Sequence, residues 1–415
     1  MNKFLVQGSR SLNGGIQIGG AKNSALKLMA ASLLAEGLTS LSNVPDIADV
    51  AIMVELLEAM GVEVQRTGHR IDISVPHEIE PVAPYHLVER MRASISVLGP
   101  LLARIGRATV AMPGGDDFGS RPIDMHLQGL EQLGATFTHQ HGDIQAQAEV
   151  LKGAEVFLEF PSVGATENLL MAAVLARGTT TIENAAREPE ITDLANFLSQ
   201  MGALIDGIGT SRLRVDGVER LEPISYEVIP DRIEAATYLC ALAICGGELH
   251  LENARAEHME MLLRKLEEMG MHISEGNGGV RGKVTERLKS ADVSTLPYPG
   301  LATDYKPFLV AALSVASGAG MVTENIFAGR FRYVDELVRM GAEIKAEGRH
   351  AVVRGVERLS GAPVRAHDIR AGAALVIAGL GADGETIISD AHHVDRGYED
   401  LAGKLSSVGA QVSRT

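Results

Sequence analysis

The segment LEAMGVEV, at residues 57–64, is the most informative part of the sequence, because variants of it occur five more times. In each copy an apolar run closes on a glycine, and a short segment of alternating apolar and polar residues follows. The other copies are LEQLGATF (130–137), LSQMGALI (198–205), LEEMGMHI (266–273), LVRMGAEI (337–344) and LSSVGAQV (405–412). Successive glycines, from Gly61 to Gly409, lie 68 to 73 residues apart. A fixed period of this length predicts a fold built from six copies of one structural unit.

Each period also carries an Ala- and Leu-rich segment that ends on glycine, such as AKNSALKLMAASLLAEG at 21–37 and DRIEAATYLCALAICGG at 231–247. Apolar residues cover nearly the whole circumference of such a segment, so we expect six buried helices. A strand with alternating polarity follows, for example TTTIEN at 179–184, and then an amphipathic helix with an acidic residue near its start. The predicted unit is therefore helix, strand, loop, helix and strand, with further short strands.

Six units of roughly 70 residues cannot each bury a core, whereas three together can close a domain of about 200 residues. The predicted fold class is α/β, with two domains of three βαβαββ-type units each. The first buried helix begins near Lys22, so residues 1–21 are predicted to form a strand that completes the last unit and brings the chain ends together. The predicted domains are 22–230, and 1–21 with 231–415, with crossings near Gly20 and Pro230.

Composition narrows the class of protein. Of the 415 residues, 46% are hydrophobic and 22% charged, which is typical of a globular protein. The net charge of −15 argues against a surface that coats nucleic acid. The N-terminal MNKFLVQGSR lacks the apolar core of a signal peptide, and no uncharged stretch reaches the roughly 18 apolar residues of a membrane span, so we expect a cytoplasmic protein without nucleic-acid or membrane partners. Cys240 and Cys245 are expected to be buried thiols, not metal ligands.

Polar residues interrupt the repeat at two places in each unit, the start of the buried helix and the loop after the strand. The helix starts are Lys22-Asn23, Arg92, Ser162 to Thr166, Asp231-Arg232, Thr303-Asp304 and Arg370, and the loops are 113–124, 186–193, 327–334 and 392–400. Helix N-termini attract anions, and arginine suits bidentate recognition of carboxylate or phosphate. A single arginine at such a place would more often be a solvated loop charge or a partner in a helix salt bridge. The set at equivalent positions, Lys22, Arg92, Arg121, Arg330, Arg370 and Arg396, indicates a site for more than one anionic group.

The loop PGGDDFGSRPID, residues 113–124, combines glycines that permit close approach of a ligand with two adjacent carboxylates, Asp116 and Asp117. An ordinary acidic turn is the alternative interpretation of the same residues. Neither a Walker-A motif nor an H-E-x-x-H motif occurs, so we expect no cofactor and no metal.

These segments resemble the UDP-N-acetylglucosamine 1-carboxyvinyltransferases, enolpyruvyl transferases with the EPSP synthase-like fold. The resemblance covers the whole chain and rests on GGAKNSALKLMAASLLAEG (19–37), RMRASISVLGP (90–100), PGGDDFGSRPIDMH (113–126), SVGATEN (162–168), NAAREPEI (184–191), PDRIEA (230–235), ATDYKP (302–307), TENIFAGRFRYV (323–334), DIRAGA (368–373) and DRGYE (395–399). It implies two inside-out α/β domains with an active site in the cleft between them. It also implies transfer of the enolpyruvyl group of phosphoenolpyruvate to the 3-hydroxyl of UDP-N-acetylglucosamine by addition and elimination, which opens peptidoglycan synthesis.

Motif by motif, the resemblance implies a set of site residues. Lys22, Arg121 and Arg396 would hold the phosphate of phosphoenolpyruvate, and Arg330 with Arg370 its carboxylate. Asn23, Thr303, Asp304 and the backbone of Ile326 would hold the sugar. Arg92, Arg121, Pro122, Ile123, Asp124, Met125, Ser162 and Val163 would contact the uridine diphosphate. The catalytic residues would be Asp304 as base, Asp116 as proton donor, and Lys22 and Arg396 as stabilisers of charge.

Two positions depart from the family pattern. Asp116 stands where many members have cysteine, so we expect an active enzyme that is insensitive to fosfomycin, an epoxide that alkylates that thiolate. Lys306 stands where a glutamine commonly follows Asp304 by two, which predicts an extra cation near the sugar pocket. The loop 113–122 is the expected lid, closing after the nucleotide binds.

Two alternative functions are consistent with parts of the sequence. One is an enolpyruvyl transferase of secondary metabolism that uses another nucleotide acceptor. The other is a catalytically silent repeat protein that senses UDP-sugars.

Overall fold

The computed structural model of the chain describes residues 3–9, 11–112, 123–327 and 329–415. These residues divide into two compact units. The N-terminal unit contains residues 20–112 and 123–229, and the C-terminal unit contains residues 3–9, 11–19 and the described residues from 230 to 415.

The described α-helices are α1 (Lys22–Ala31), α2 (Ala48–Ala59), α3 (Tyr85–Val88), α4 (Leu98–Ile105), α5 (Asp124–Gln132), α6 (Val163–Ala173), α7 (Pro189–Gln200), α8 (Arg232–Cys245), α9 (Glu260–Met269), α10 (Lys306–Leu313), α11 (Tyr333–Arg339), α12 (Ile369–Leu380), α13 (His392–Asp395) and α14 (Leu401–Ser407). Short 3₁₀ helices cover Ser32–Leu34, Arg92–Val97 and Ala256–His258.

The described strands are β1 (Lys3–Gln7), β2 (Leu12–Gln17), β3 (Gly37–Ser42), β4 (Glu63–Thr67), β5 (Arg70–Val75), β6 (Val82–Ala83), β7 (Arg107–Ala111), β8 (Thr136–Gln140), β9 (Asp143–Gln147), β10 (Glu155–Phe157), β11 (Thr179–Glu183), β12 (Leu204–Asp206), β13 (Arg212–Asp216), β14 (Ser225–Glu227), β15 (Gly247–Glu252), β16 (His272–Gly276), β17 (Gly279–Val284), β18 (Val293–Ser294), β19 (Ala319–Thr323), β20 (Glu343–Glu347), β21 (His350–Arg354), β22 (Leu359–Ser360), β23 (Pro363–Arg365), β24 (Ala382–Asp383), β25 (Glu385–Ser389) and β26 (Gln411–Arg414).

Each repeat contributes one four-stranded sheet, and the strand order is the same in all six. The orders are β14-β3-β5-β4, β6-β7-β9-β8 and β10-β11-β13-β12 in the N-terminal unit, and β2-β15-β17-β16, β18-β19-β21-β20 and β23-β25-β1-β26 in the C-terminal unit. The first two strands of each sheet are parallel and the remaining neighbours are antiparallel. The predicted α/β fold of six repeated units is therefore confirmed.

The leading segment completes the last sheet, as expected, but it is not one strand. Strand β1 pairs with both β25 and β26, and the amide of Lys3 donates to the carbonyl of Thr415 at 2.9 Å. Strand β2 instead joins β15, in the sheet of the fourth repeat. Between them, a Cβ on Gly8 would lie 2.2 Å from the carbonyl oxygen of Ala382, so the chain needs glycine where it leaves the first sheet. The prediction of a single strand over 1–21 was wrong because two different sheets take up this segment.

The six closing glycines share one backbone conformation. Their φ angles lie between 85° and 110°. In this left-handed region residues other than glycine are sterically strained. Each one ends the amphipathic helix of its repeat and turns the chain into the next strand. This conformational need explains why glycine recurs at this point of the sequence.

The Ala- and Leu-rich helices form the core of each unit. In the C-terminal unit α8, α10 and α12 pack pairwise against one another, and every residue of α12 is buried. In the N-terminal unit α4 packs against α6, and α1 packs against the 3₁₀ segment that precedes α4. The expectation of buried helices is confirmed. Cys240 and Cys245 are free, buried thiols in α8, also as expected.

Two details of the predicted elements were wrong. The buried helix expected to start at Arg92 begins as the 3₁₀ segment Arg92–Val97, and α4 starts only at Leu98. Pro100 has no amide to bond to residue 96, so a continuous α-helix loses a hydrogen bond there. The expected loop 392–400 contains the short helix α13. In the part of the chain that the structure describes, no helix is both long and apolar enough to cross a membrane.

Candidate functional site

In the C-terminal unit, one carboxylate lies between two arginines. Asp304 precedes α10, Arg330 follows β19, and Arg370 is the second residue of α12. The Oδ1 atom of Asp304 is 2.8 Å from Nη1 of Arg330, and its Oδ2 atom is 3.3 Å from Nε of Arg370. Both arginine side chains are almost fully buried. Three residues that lie up to 66 positions apart in sequence are thus brought together as a charged cluster.

The two arginines determine the protonation state of Asp304. Burial by itself would raise the pKa of this carboxyl, but the charges of Arg330 and Arg370 and their hydrogen bonds outweigh burial. The pKa of Asp304 is therefore held well below its ordinary value. As a carboxylate it neutralises one of the two guanidinium charges, and Asp368 and Asp231 also act on these arginines.

Next to this cluster, Lys306 and Glu324 form a separate ion pair that is fully buried. The Nζ atom of Lys306 is 2.9 Å from Oε2 of Glu324, and neither side chain is exposed. Glu324 also accepts hydrogen bonds from Thr303 and from the amide of Ile326, both at 2.8 Å. The extra cation expected near the sugar pocket is therefore buried, and Glu324 neutralises it inside the protein. Sequence reasoning overlooked Glu324, although it directly follows a strand, where polar residues of this repeat collect.

Side chains of the protein itself cap the N-termini of three helices, α6, α8 and α12. Asp368 accepts from the amides of Arg370 and Ala371 at 2.8 and 2.9 Å, and Asp231 caps α8 in the same way. Ser162 accepts from the amide of Ala165 at the start of α6. These caps take up one backbone N–H group of α6 and two each of α8 and α12. Because a helix starts with four N–H groups that have no partner within the helix, anion binding at these ends stays a prediction.

In the N-terminal unit, the predicted phosphate ligand Lys22 is the first residue of α1 and is largely buried. Its Nζ atom is 2.8 Å from Oδ2 of Asp49, which lies in the first turn of α2. Asp49 was not singled out from the sequence. The available signal was the acidic residue near the start of each amphipathic helix, which here orients a lysine of the neighbouring buried helix.

The segments expected to contact uridine diphosphate are held together by His126 and Asn168. Nδ1 of His126 lies 2.9 Å from Nδ2 of Asn168, so this amide donates to the ring. Asn168 also donates to the carbonyl of Ile95 and accepts from the amide of Gly99. A Cβ on Gly164 would lie 3.0 Å from Nε2 of His126. These contacts join the start of α5, the start of α6 and the segment that begins at Arg92.

His126 makes the stability of the protein depend on pH. Burial, followed by the charges of Arg92 and Lys27, lowers the pKa of His126 to about 3. The unfolded chain takes up this proton near its ordinary pKa of about 6.5 and so binds more protons than the folded chain between those values. The free energy of unfolding should therefore fall on acidification from pH 6.5 toward 3, by on the order of 4 kcal/mol in all.

We expect His126→Asn, which retains a hydrogen-bond acceptor for Asn168, to have a shallower loss of stability than the wild type over this range. The measurement is the urea midpoint at several pH values from 4 to 7.5, with the exposed His86→Asn as control. Parallel pH profiles for the wild type and His126→Asn would contradict the assignment.

The remaining predicted residues divide between the units and the segment outside the described residues. Asn23, Ile123, Asp124, Met125, Ser162 and Val163 lie in the N-terminal unit, and Thr303, Ile326 and the half-buried Arg396 lie in the C-terminal unit. Asp116, Arg121 and Pro122, together with the expected lid, lie outside the described residues. A shared phosphate site of Lys22, Arg121 and Arg396 stays a prediction.

Comparison with known proteins agrees with this fold. The sequence model of the EPSP synthase (3-phosphoshikimate 1-carboxyvinyltransferase) family matches residues 6–405. The UDP-N-acetylglucosamine 1-carboxyvinyltransferase of Corynebacterium jeikeium is 50% identical over 413 residues, which cover 100% of this chain and 99% of that protein. The one from Nocardia farcinica is 51% identical over 418 residues, covering 99% of this chain and 98% of that protein.

Two solved structures share the fold. The enolpyruvyl transferase NikO from Streptomyces tendae superimposes with a TM-score of 0.90 at 25% identity, covering 100% of this chain and 99% of that one. EPSP synthase from Acinetobacter baumannii, with a TM-score of 0.76 at 20% identity and full coverage of both chains, supports the fold alone. The chain therefore belongs to the EPSP synthase family of enolpyruvyl transferases, among the UDP-N-acetylglucosamine 1-carboxyvinyltransferases.

Proposed function

We propose that this protein transfers the enolpyruvyl group of phosphoenolpyruvate to the 3-hydroxyl of UDP-N-acetylglucosamine and releases phosphate. The observation that carries the proposal is identity of about half of all positions, over the full length, with enzymes named for this reaction. The reaction would be the first committed step of peptidoglycan synthesis and would take place in the cytoplasm. The charged cluster of Asp304, Arg330 and Arg370 would supply the base and the ligands of the phosphoenolpyruvate carboxylate.

In the proposed reaction the sugar hydroxyl adds to C2 of phosphoenolpyruvate while C3 takes a proton. The tetrahedral adduct then loses phosphate together with a proton from C3, which restores the carbon–carbon double bond. The addition needs a base for the hydroxyl proton and an acid for C3. We assign these roles to Asp304 and Asp116. Lys22, Arg121 and Arg396 would stabilise the phosphate, and Asp49 would orient Lys22 for that task.

The pairing of Asp304 with two arginines suggests how the base becomes active. In the protein without ligands, Arg330 and Arg370 make Asp304 a weak base, because they hold its pKa low. A substrate carboxylate bound to the same two guanidinium groups would compete with Asp304 for them. The basicity of Asp304 would then rise only when phosphoenolpyruvate is in place, which protects against unproductive proton transfer.

The acceptor contacts in this proposal come from both units. Asn23, Thr303, Asp304 and the amide of Ile326 would bind the sugar. Arg92, Arg121, Pro122, Ile123, Asp124, Met125, Ser162 and Val163 would bind the uridine diphosphate. Of these, the described segments of the N-terminal unit are linked by His126 and Asn168.

The acceptor is the part of the proposal that a direct assay tests. With phosphoenolpyruvate present, we expect phosphate release with UDP-N-acetylglucosamine to exceed release with UMP, shikimate 3-phosphate or other UDP-sugars by at least about 100-fold, because buried polar contacts reject acceptors that leave them unpaired. Mass spectrometry should show one enolpyruvyl group added to the sugar nucleotide. Faster release with another acceptor would support the secondary-metabolism alternative, and release with none of them would support the silent sensor.

A further inference from the structure

We infer that the buried pair Glu324–Lys306 is a positioning device that holds the sugar-binding and phosphoenolpyruvate-binding parts of the C-terminal unit in one geometry. The inference rests on the proposed function, because it concerns Thr303, Ile326 and Arg330 in the roles proposed above. Neither member of the pair is exposed, so neither is placed to touch a substrate. Their effect on the reaction has to pass through the residues that they hold.

Glu324 gathers five hydrogen-bond donors around one carboxylate. Its Oε1 atom accepts from the hydroxyl of Thr295 and the amide of Ile326, both at 2.8 Å, and from the amide of Phe327 at 3.2 Å. Its Oε2 atom accepts from the hydroxyl of Thr303 at 2.8 Å and from Lys306 at 2.9 Å. The carboxylate thus orients both the side chain of Thr303 and the backbone of Ile326.

Lys306, the cation of the pair, binds the loop that carries Arg330. Besides Glu324, its ammonium group donates to the backbone carbonyl of Arg330, and it lies 3.9 Å from the centre of the Phe331 ring. The loop that carries Arg330 is therefore attached from within the protein to the first residue of α10. The residues that precede this helix, Thr303 and Asp304, are the proposed sugar ligands.

These contacts close into a ring. Nη1 of Arg330 donates to the hydroxyl oxygen of Thr303 at 2.9 Å and to Asp304 at 2.8 Å. Because a hydroxyl has one proton and two lone pairs, Thr303 can donate to Glu324 and accept from Arg330 at the same time. The ring runs from Glu324 through Thr303 to the Arg330 side chain, and returns from the Arg330 carbonyl through Lys306. Both ends of Arg330 are held by it.

The chemistry of the ring explains why the buried residue is an acid. All five groups that face the Glu324 side chain are donors, and only an ionised carboxylate accepts at both oxygens. A buried carboxylate is costly unless a cation neutralises it, and Lys306 supplies that charge. The side chain at position 306, however, donates only two hydrogen bonds within this ring, one to Glu324 and one to the Arg330 carbonyl. A glutamine amide carries two such donors, whereas methionine carries none.

This difference provides the test. Lys306→Met removes both donors from an unbranched side chain of similar length, Lys306→Gln keeps two donors without the charge, and the exposed Lys345→Met is the matched control. The full-length enzyme is assayed for phosphate release at saturating phosphoenolpyruvate, with UDP-N-acetylglucosamine varied. We expect Lys306→Met to raise KM for the sugar nucleotide and lower kcat, each by about tenfold, because Glu324 and the Arg330 carbonyl both lose a hydrogen-bond donor. Lys306→Gln should stay within about threefold of the wild type, and Lys345→Met should be unchanged.

A merely structural role would give a different pattern. In that case Lys306→Met would have a lower melting temperature but unaltered kcat and KM when assayed well below it, which would overturn the inference. Activity loss in Lys306→Gln equal to that in Lys306→Met would also overturn it. Should Lys306→Met not fold, Thr295→Val removes one donor to Glu324 from a residue outside the proposed binding sites, and unchanged KM in that variant would count against the inference. Inactivity of the wild type with both substrates would instead refute the proposed function itself.

Discussion

Asp304→Asn is expected to lower kcat for phosphate release by at least about 100-fold, the usual contribution of a general base. The change keeps the size of the side chain and one acceptor oxygen but removes the negative charge that lies between Arg330 and Arg370. The two guanidinium groups then face a substrate carboxylate without competition, so KM for phosphoenolpyruvate should stay the same or fall. A large loss in kcat without a rise in this KM is the signature of the assigned role.

Steady-state kinetics with each substrate varied in turn measures both quantities. Asp383→Asn is a suitable control, because Asp383 is an exposed aspartate of the same unit that pairs with Arg358. Near-normal kcat in Asp304→Asn would exclude this carboxyl as the base. A rise in KM for phosphoenolpyruvate with kcat unchanged would show that Asp304 serves binding only.

The second large effect concerns the residue at position 116. We expect the wild-type enzyme to keep its activity at fosfomycin concentrations that abolish the activity of Asp116→Cys. A thiolate attacks the epoxide of this inhibitor, whereas a carboxylate is a much weaker nucleophile. The two native cysteines offer no substitute target, because burial raises the pKa of Cys245 to about 12 and that of Cys240 well above its ordinary value.

Activity assays with and without fosfomycin, combined with peptide mass spectrometry, test this expectation. Asp116→Asn should be insensitive to the inhibitor and slow in phosphate release, because it has neither a thiol nor an ionisable proton donor. Inhibition of the wild type with a covalent label in residues 113–122 would overturn the expectation. An Asp116→Cys enzyme that remains unlabelled would do so as well.

The parts of the fold that could be predicted from the sequence are those that depend on local chemistry. The glycines from Gly61 to Gly409 are conspicuous because each needs a positive φ angle at the end of a helix. The Ala- and Leu-rich helices could be recognised because they are apolar on all sides. The division of residues 1–21 into β1 and β2 was not predictable in this way, because it follows from which distant strands pair with the segment.

The charged residues of the candidate site could be predicted from the sequence, but the residues that orient them could not. Motif and position led to Asp304, Arg330 and Arg370, which the structure places in contact. The residues that orient them were overlooked, among them Glu324 and the helix cap Asp368. Nothing in the local sequence separates a glutamate that neutralises a buried lysine 18 residues away from one on the surface.

Periodicity, backbone conformation and residue type are enough to predict the number of units, the helices that form the cores and the type of charge at the proposed site. Which charges are neutralised inside the protein becomes known only from the three-dimensional packing. Lys22 with Asp49 and Lys306 with Glu324 are pairs of that kind. The physical reason is that the energy of a charge depends on its burial and on the distance to its partner, and both are set by the packing of separate helices and strands.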